Sequence, residues 1–281
     1  QAEDGIRAHC VTRVQTCALP IYAGDRRGSG PETALGRFVD RSWMEGTLMS
    51  AQPRLVIAID GPSGTGKSTI ARWIAQELNL SYLDTGANYR AATLWCMKNG
   101  LDLSQPDSVD TQQITELITT MPLAQDLNPH NFTLALDGQD ITDAIRSDEV
   151  TSNVSVLSTR TEVREHLVEL QRQAIQSRPR IVVEGRDITT VVAPDAEARI
   201  LLTASPEVRM ARRGQQLRET NQDPGNVESD VIGRDEKDSA LVDFMTPAEG
   251  VVEIDSSILS LEDTVTVVLA EIQRQVNTNG S

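Results

Sequence analysis

Apolar residues fall along the chain in short, widely spaced runs. Five stand out, at 55–59, 80–83, 180–183, 199–202 and 251–254. Each is rich in Val, Ile and Leu and is bounded by polar or turn-forming residues, the pattern of a parallel strand covered on both faces. Helical periodicity fills the intervals. Residues 70–78 form a helical stretch directly after the first run, and 161–176 carries Val163, Leu167, Leu170 and Ala174 on one stripe. Strands alternating with helices predict an α/β fold of three layers around a five-stranded parallel sheet.

One interval is out of proportion. Between Leu83 and Ile181 lie residues 84–180, far more than the roughly 10–12 residues that a crossover needs. Within it, 107–120 places Val109, Ile114, Leu117 and Ile118 at helical spacing. Residues 131–136 and 139–141 flank Asp137-Gly138, the dipeptide that a type I′ hairpin turn favours. A small α+β subdomain is therefore expected to interrupt the sheet, placed to clamp a second substrate against whatever the sheet binds.

Residues 1–48 do not share these patterns. They hold two of the three cysteines, no lysine, and a loop-like Arg26-Arg27-Gly28-Ser29-Gly30-Pro31 cluster. No signal-peptide apolar core is present, and Cys10, Cys17 and His9 lack the second ligand pair of a metal site. This part is expected to be a disordered or non-native extension, with Met44 or Met49 as the start of the protein proper.

Charge narrows the function classes. The 41 acids against 26 Lys plus Arg leave a formal charge of −15. Such a surface repels a phosphate backbone, so polymeric nucleic acid is excluded as a partner. Aromatics at 3% disfavour base-stacking platforms. No apolar run is long enough for a membrane span, and the sparse, odd cysteines fit a reduced, cytoplasmic protein. Cys96 sits in an apolar helical stretch and reads as core, while His130 and His166 read as structural or solvated.

The first apolar run leads straight into Asp60-Gly61-Pro62-Ser63-Gly64-Thr65-Gly66-Lys67-Ser68-Thr69 and then into a helix. This is G-x-x-x-x-G-K-S in the strand–loop–helix setting that a P-loop requires. Its glycines let backbone N–H groups turn toward phosphate oxygens, and the helix N-terminus adds positive partial charge. Lys67 is placed to reach the β- and γ-phosphates and Ser68 to ligate Mg²⁺, so ATP and magnesium are the expected ligands of Gly61 to Thr69.

Arginines at predicted loop positions suggest what receives the phosphate. Arg90 follows the second strand, Arg186 lies in Glu184-Gly185-Arg186-Asp187 after the third, and Arg209, Arg212 and Arg213 share a helix face after the fourth. Ligands bind at these C-terminal strand ends in open α/β sheets. Several cations there suit two phosphorylated substrates facing each other. A GTPase switch would need N-K-x-D, and the chain has no Asn-Lys pair. Glu184 ends its strand where a carboxylate holds the water shell of Mg²⁺. Asp84 and Asp60 are rival candidates, although Asp60 also reads as a turn residue.

At these residues the chain resembles the bacterial cytidylate kinases, and most closely their actinobacterial branch. The likeness rests on 59–69, on Tyr82-Leu83-Asp84-Thr85-Gly86-Ala87 with Tyr89-Arg90, on 183–188 and on Arg234-Asp235-Glu236-Lys237-Asp238-Ser239. It implies transfer of the γ-phosphoryl group of ATP to CMP or dCMP by a cytoplasmic monomer. A UMP/CMP-type or other small-molecule kinase, or a non-catalytic nucleotide-binding regulator, is the alternative. The implied kinase domain is 49–281, with a monophosphate-binding insert at 85–160 and a lid region at 209–233. The resemblance assigns the acceptor phosphate to Thr85, Arg90 and Arg186, the cytosine to Ser155, Arg164 and Asp187, and the ribose to Arg234 and Asp238. Arg209, Arg212 and Arg213, with the segment 214–233, resemble a lid closing on ATP. Lys67, Arg186 and these three arginines are the candidate catalytic residues.

The chain departs from this family at three places. Asn88 stands where relatives usually have an apolar residue, Thr189 where many have glycine, and Leu241 where an arginine commonly contacts the acceptor nucleotide. A charge-assisted hydrogen bond is worth about 1.5–3 kcal/mol, so the missing arginine predicts roughly ten- to hundredfold weaker CMP binding unless Lys237 or a lid arginine substitutes. Retention of Asp238, Arg186 and Arg90 favours substitution. Leu241→Arg is then expected to change the KM for CMP by less than about tenfold in a titration; a larger fall shows that the contact is missing.

Overall fold

β1 (Leu55–Asp60) is buried at all six positions, as befits a strand with neighbours on both edges and layers on both faces. The computed structural model describes residues 53–219 and 244–279 with the single positions 227, 233 and 235. The expected extension at 1–48, the greater part of the segment 214–233, and Arg234, Asp238 and Leu241 lie outside the described residues.

β1 runs into α1 (Lys67–Glu77), β2 (Ser81–Asp84) and α2 (Thr85–Lys98). A short 3₁₀ turn, Pro106–Ser108, precedes α3 (Thr111–Thr119), and β3 (Leu123–Asp126), β4 (Thr133–Leu136) and β5 (Gln139–Asp140) follow. Then come a second 3₁₀ turn (Ala144–Arg146), α4 (Asp148–Ser158), α5 (Thr161–Ser177) and β6 (Arg180–Gly185). A π-helical turn (Ile188–Val192) leads to β7 (Ala198–Thr203), α6 (Pro206–Glu219), β8 (Val252–Asp255) and α7 (Leu261–Asn279).

The five strands at the predicted runs form one sheet in the order β2-β6-β1-β7-β8. Every pairing in it is parallel. Because side chains alternate across a strand, β1 feeds two cores. Leu55, Ile57 and Ile59 join α1 and α7, while Val56 and Ala58 join α5 and the π-helical turn. These are the three expected layers.

The interval between β2 and β6 is richer than its periodicity indicates. The hairpin forms as expected, with Asp137 and Gly138 both at positive φ of 49° and 73°, the type I′ requirement. Beside it, β3 completes a three-stranded antiparallel sheet. The helix expected at 107–120 starts only at Thr111, where Asp110 caps it by accepting from Gln112 N–H at 3.0 Å. Arg90, expected in a loop, lies on α2. α4 carried no clear stripe in the sequence, and it forms because Ser147 caps it and Val150, Val156 and Leu157 are buried.

This interval is fused to the main core. Phe132, Leu134, Leu136, Ile141 and Ile145 share a cluster with β1 and α1. Phe132 also meets the Tyr82 ring edge-on at 5.3 Å, and Tyr82 N–H donates to Leu127 O at 2.8 Å. A separate cluster of Tyr89, Ala92, Cys96, Ile114, Leu157, Val163 and Leu167 binds α2 to α5 together, and Cys96 is core as expected.

Asn88 on α2 is 0% exposed, and neither its amide nitrogen nor its amide oxygen has a hydrogen-bond partner among the described residues. A buried unsatisfied polar group costs about 1–3 kcal/mol. Asn88→Leu is therefore expected to raise stability by about 1–2 kcal/mol in urea unfolding; a loss shows that the amide is needed where it is.

Candidate functional site

The C-terminal ends of β1, β2, β6 and β7 open onto one region, and the P-loop follows the first of them. Gly64 adopts φ +79°, and a Cβ there would stand 2.8 Å from the backbone oxygen of Arg209. Only glycine lets the loop and α6 approach so closely. α1 begins at Lys67 behind Gly66 with no side-chain cap and no acid in its first turn. Its leading N–H groups are left for an anion. Ser68 and Thr69 are exposed at the mouth. Lys67 Nζ donates to Pro62 O at 2.9 Å, within the loop itself.

Glu184, buried near the end of β6, accepts from Ser68 Oγ at 2.5 Å and from Tyr82 OH at 3.1 Å. Burial raises its carboxyl above the ordinary range and Asp84 adds to this, while Lys67 and the two hydroxyl donors pull it back. Lys67 keeps part of its surface open, yet protein surrounds it closely. Burial lowers its ammonium, against the pull of Glu184, Asp235 and Asp60. Asp84 is engaged differently. Its Oδ1 caps α2 by accepting from Ala87 N–H at 2.8 Å, and its Oδ2 pairs with Arg90 at 3.0 Å. Of the two carboxylates, Glu184 is the one bonded to the P-loop serine.

The arginines converge on the same region, each held by an acid or a carbonyl. Arg164 from α5 pairs with Asp187 and also donates to Ser158 O at 3.4 Å. Ser155 lies one turn earlier on α4, half-buried. Arg186 pairs with Asp235 at 3.1 Å and stacks on the Phe244 ring at 4.9 Å. Thr85 Oγ1 donates to Glu184 O at 2.8 Å, and a Cβ on Gly185 would lie 2.4 Å from that hydroxyl. Arg209 is 4% exposed, pairs with Asp235 and donates to Ser63 O at 3.1 Å. Arg212 donates to Thr65 O at 3.1 Å and to Ser256 Oγ and O at 2.9 and 2.8 Å. Arg213 points along its helix to Gln216 at 3.1 Å. The three lid arginines thus divide: Arg209 and Arg212 grip the P-loop, and Arg213 does not.

Asp60 is the last residue of β1 and not a turn residue. It accepts from the backbone N–H of Ile188 and Thr189, both at 2.8 Å, and from Thr189 Oγ1 at 2.6 Å. The departure at Thr189 therefore adds a third donor to a buried carboxylate, and the contact anchors the turn that follows Arg186 and Asp187. Asp235, Tyr82 and Phe244 also went unassigned in the sequence. Asp235 lies inside a recognisable motif, but nothing in its spacing says which donors it meets.

The sequence profile of the cytidylate kinase family matches residues 57–274. The chain is 45% identical over 215 residues to the cytidylate kinase of Rhodococcus jostii, covering 75% of this chain and 92% of that one. It is 42% identical over 236 residues to that of Nocardia farcinica, covering 83% and 100%. To that of Streptomyces avermitilis it is 40% identical over 234 residues, covering 83% and 98%.

Burial, aided by the charge of Asp187, pushes Asp60 up to about 6 from 3.8, against the three hydrogen bonds that lower it. An acid whose folded value is raised binds more protons folded than unfolded between those two values. Its contribution to stability is therefore largest below pH 4 and fades as pH rises through 6. Asp60→Asn removes this dependence. The stability of wild type relative to Asp60→Asn is expected to grow by about 1–1.5 kcal/mol from pH 7 to pH 5 in denaturant titrations; a constant difference contradicts it.

Proposed function

The chain belongs to the cytidylate kinase family and phosphorylates CMP or dCMP with ATP, and on that premise we propose how its residues divide the work. The observation that carries the proposal is the convergence of the P-loop, Glu184 and the arginines 90, 164, 186 and 209 at the C-terminal ends of the parallel strands. Gly61 to Thr69 bind the ATP phosphates, with Lys67 leaving Pro62 O for the β- and γ-phosphates.

Thr85, Arg90 and Arg186 take the acceptor phosphate, and Ser155, Arg164 and Asp187 take the cytosine. Arg234 and Asp238 serve the ribose. Residues 85–160 act as the monophosphate-binding insert and 209–233 as the lid, with Arg209, Arg212 and Arg213 at its base. Phosphoryl transfer needs little covalent help from protein, so alignment and neutralisation of the equatorial oxygens do most of the catalysis. Arg186 shares the Asp235 carboxylate with Arg209, which links the acceptor side to the base of the lid.

The oxygen donors suit magnesium, a hard cation that keeps much of its water. Ser68 would ligate it directly and Glu184 through water, a fit supported by the hydrogen bond between them. When bound, the ion neutralises phosphate charge on the donor. No helix among the described residues is long and apolar enough to cross a membrane, and the enzyme is proposed to act in the cytoplasm as a monomer.

The test is an ADP-release assay across the common nucleoside monophosphates with ATP and Mg²⁺. CMP and dCMP are expected to give the highest kcat/KM. Lys67→Ala is expected to lose at least about a hundredfold in kcat, because no other lysine lies in the loop. Wild-type turnover in that variant, or uniform inactivity of the wild type, overturns the scheme.

A further inference from the structure

Asp235 is 5% exposed, and its two carboxylate oxygens meet donors drawn from three separate elements. Oδ1 accepts from the backbone N–H of Ser63 at 3.1 Å and lies 3.1 Å from Nη2 of Arg186. Oδ2 is ion-paired with Nη1 of Arg209, and the same nitrogen donates to Ser63 O at 3.1 Å. The charge of Asp235 is also felt at Lys67. One carboxylate thus gathers a P-loop amide and two guanidinium groups, one of them 4% exposed.

Carboxylate and phosphoryl oxygens make the same demand on such donors, which is short charge-assisted hydrogen bonds from guanidinium and amide groups. Leaving two guanidinium groups and a loop amide together without an anion is costly, because the charges are partly desolvated and repel each other. The ligand-free chain solves this with its own acid.

We propose that Asp235 is a positioning residue whose carboxylate occupies part of the donor-phosphate cradle before nucleotide arrives, and that the incoming polyphosphate displaces it from Ser63 and Arg209, which releases Arg186 for the acceptor as well. This rests on the P-loop being the polyphosphate site. Asp235 keeps the loop, α6 and the residue after Gly185 in register while the cradle waits. In exchange it competes with the ligand, since the binding-competent arrangement is only part of the ligand-free population.

Inorganic tripolyphosphate is the probe, because it offers the phosphates without base or ribose. Melting temperature and calorimetric affinity are measured on the full chain for wild type and Asp235→Asn. Without the anion, the variant is expected to melt lower. With it, the variant is expected to gain the larger increment and to bind on the order of fivefold or more tightly. A merely structural acid lowers both melting temperatures equally, so an increment no larger than that of wild type, or weaker binding, overturns the proposal.

Should the variant not fold, carboxyl footprinting with a carbodiimide in the wild type decides the matter. Labelling of Asp235, read by mass spectrometry, is expected to rise when tripolyphosphate is added, and unchanged or reduced labelling overturns the displacement. A wild type that tripolyphosphate neither stabilises nor binds removes the phosphate-binding reading itself, and this inference with it. Binding by the wild type without the predicted gain in Asp235→Asn removes this inference alone.

Discussion

Cations gathered at the C-terminal ends of parallel strands must be neutralised, and that need organises the rest of this molecule. Lys67 stands at the start of α1, Arg90 on α2, Arg164 on α5, Arg186 just after β6 and Arg209 on α6, and bulk water does not screen them fully. Each has an acid beside it: Glu184 near Lys67, Asp84 on Arg90, Asp187 on Arg164, and Asp235 on both Arg186 and Arg209. A buried charge without a partner costs several kcal/mol. The acids therefore hold the cations in place.

Holding these pairs in place requires close approach at two glycines. Gly64 meets α6 and Gly185 meets Thr85 at distances that no Cβ tolerates. Asp60 locks the end of β1 to the turn after β6 through three hydrogen bonds. Arg212 ties the P-loop to the loop after β8 through Thr65 and Ser256. The P-loop is thus fixed from behind by neutral and singly charged contacts.

The long interval between β2 and β6 gains its position by sharing the main core. Phe132 against Tyr82, and Leu134, Leu136 and Ile145 in the cluster with β1, make the small antiparallel sheet an extension of one layer. Tyr82 in turn donates to Glu184. A single aromatic residue therefore connects the packing of the inserted sheet to the carboxylate beside the P-loop serine.

Much of this was legible in the chain alone. The five parallel strands follow from short β-branched runs, because a strand covered on both faces needs apolar residues at successive positions. The Asp137-Gly138 turn follows from its need for two positive φ angles, and the P-loop from a spacing that few other structures use. Local chemistry decides each of these. β3 and α4 were not legible, and of α2 only the helical stretch around Cys96 was, because weak local patterns there are settled by neighbours distant in sequence. The same holds for the site. Their motifs single out Arg186, Arg209 and Lys67 as candidates. That Glu184 and not Asp84 bonds Ser68, that Thr189 serves Asp60, and that Asp235 gathers Ser63, Arg186 and Arg209 was decided only when sheet order brought residues some 20 to 170 positions apart into contact. Pairing across such distances depends on packing geometry, which no local pattern encodes.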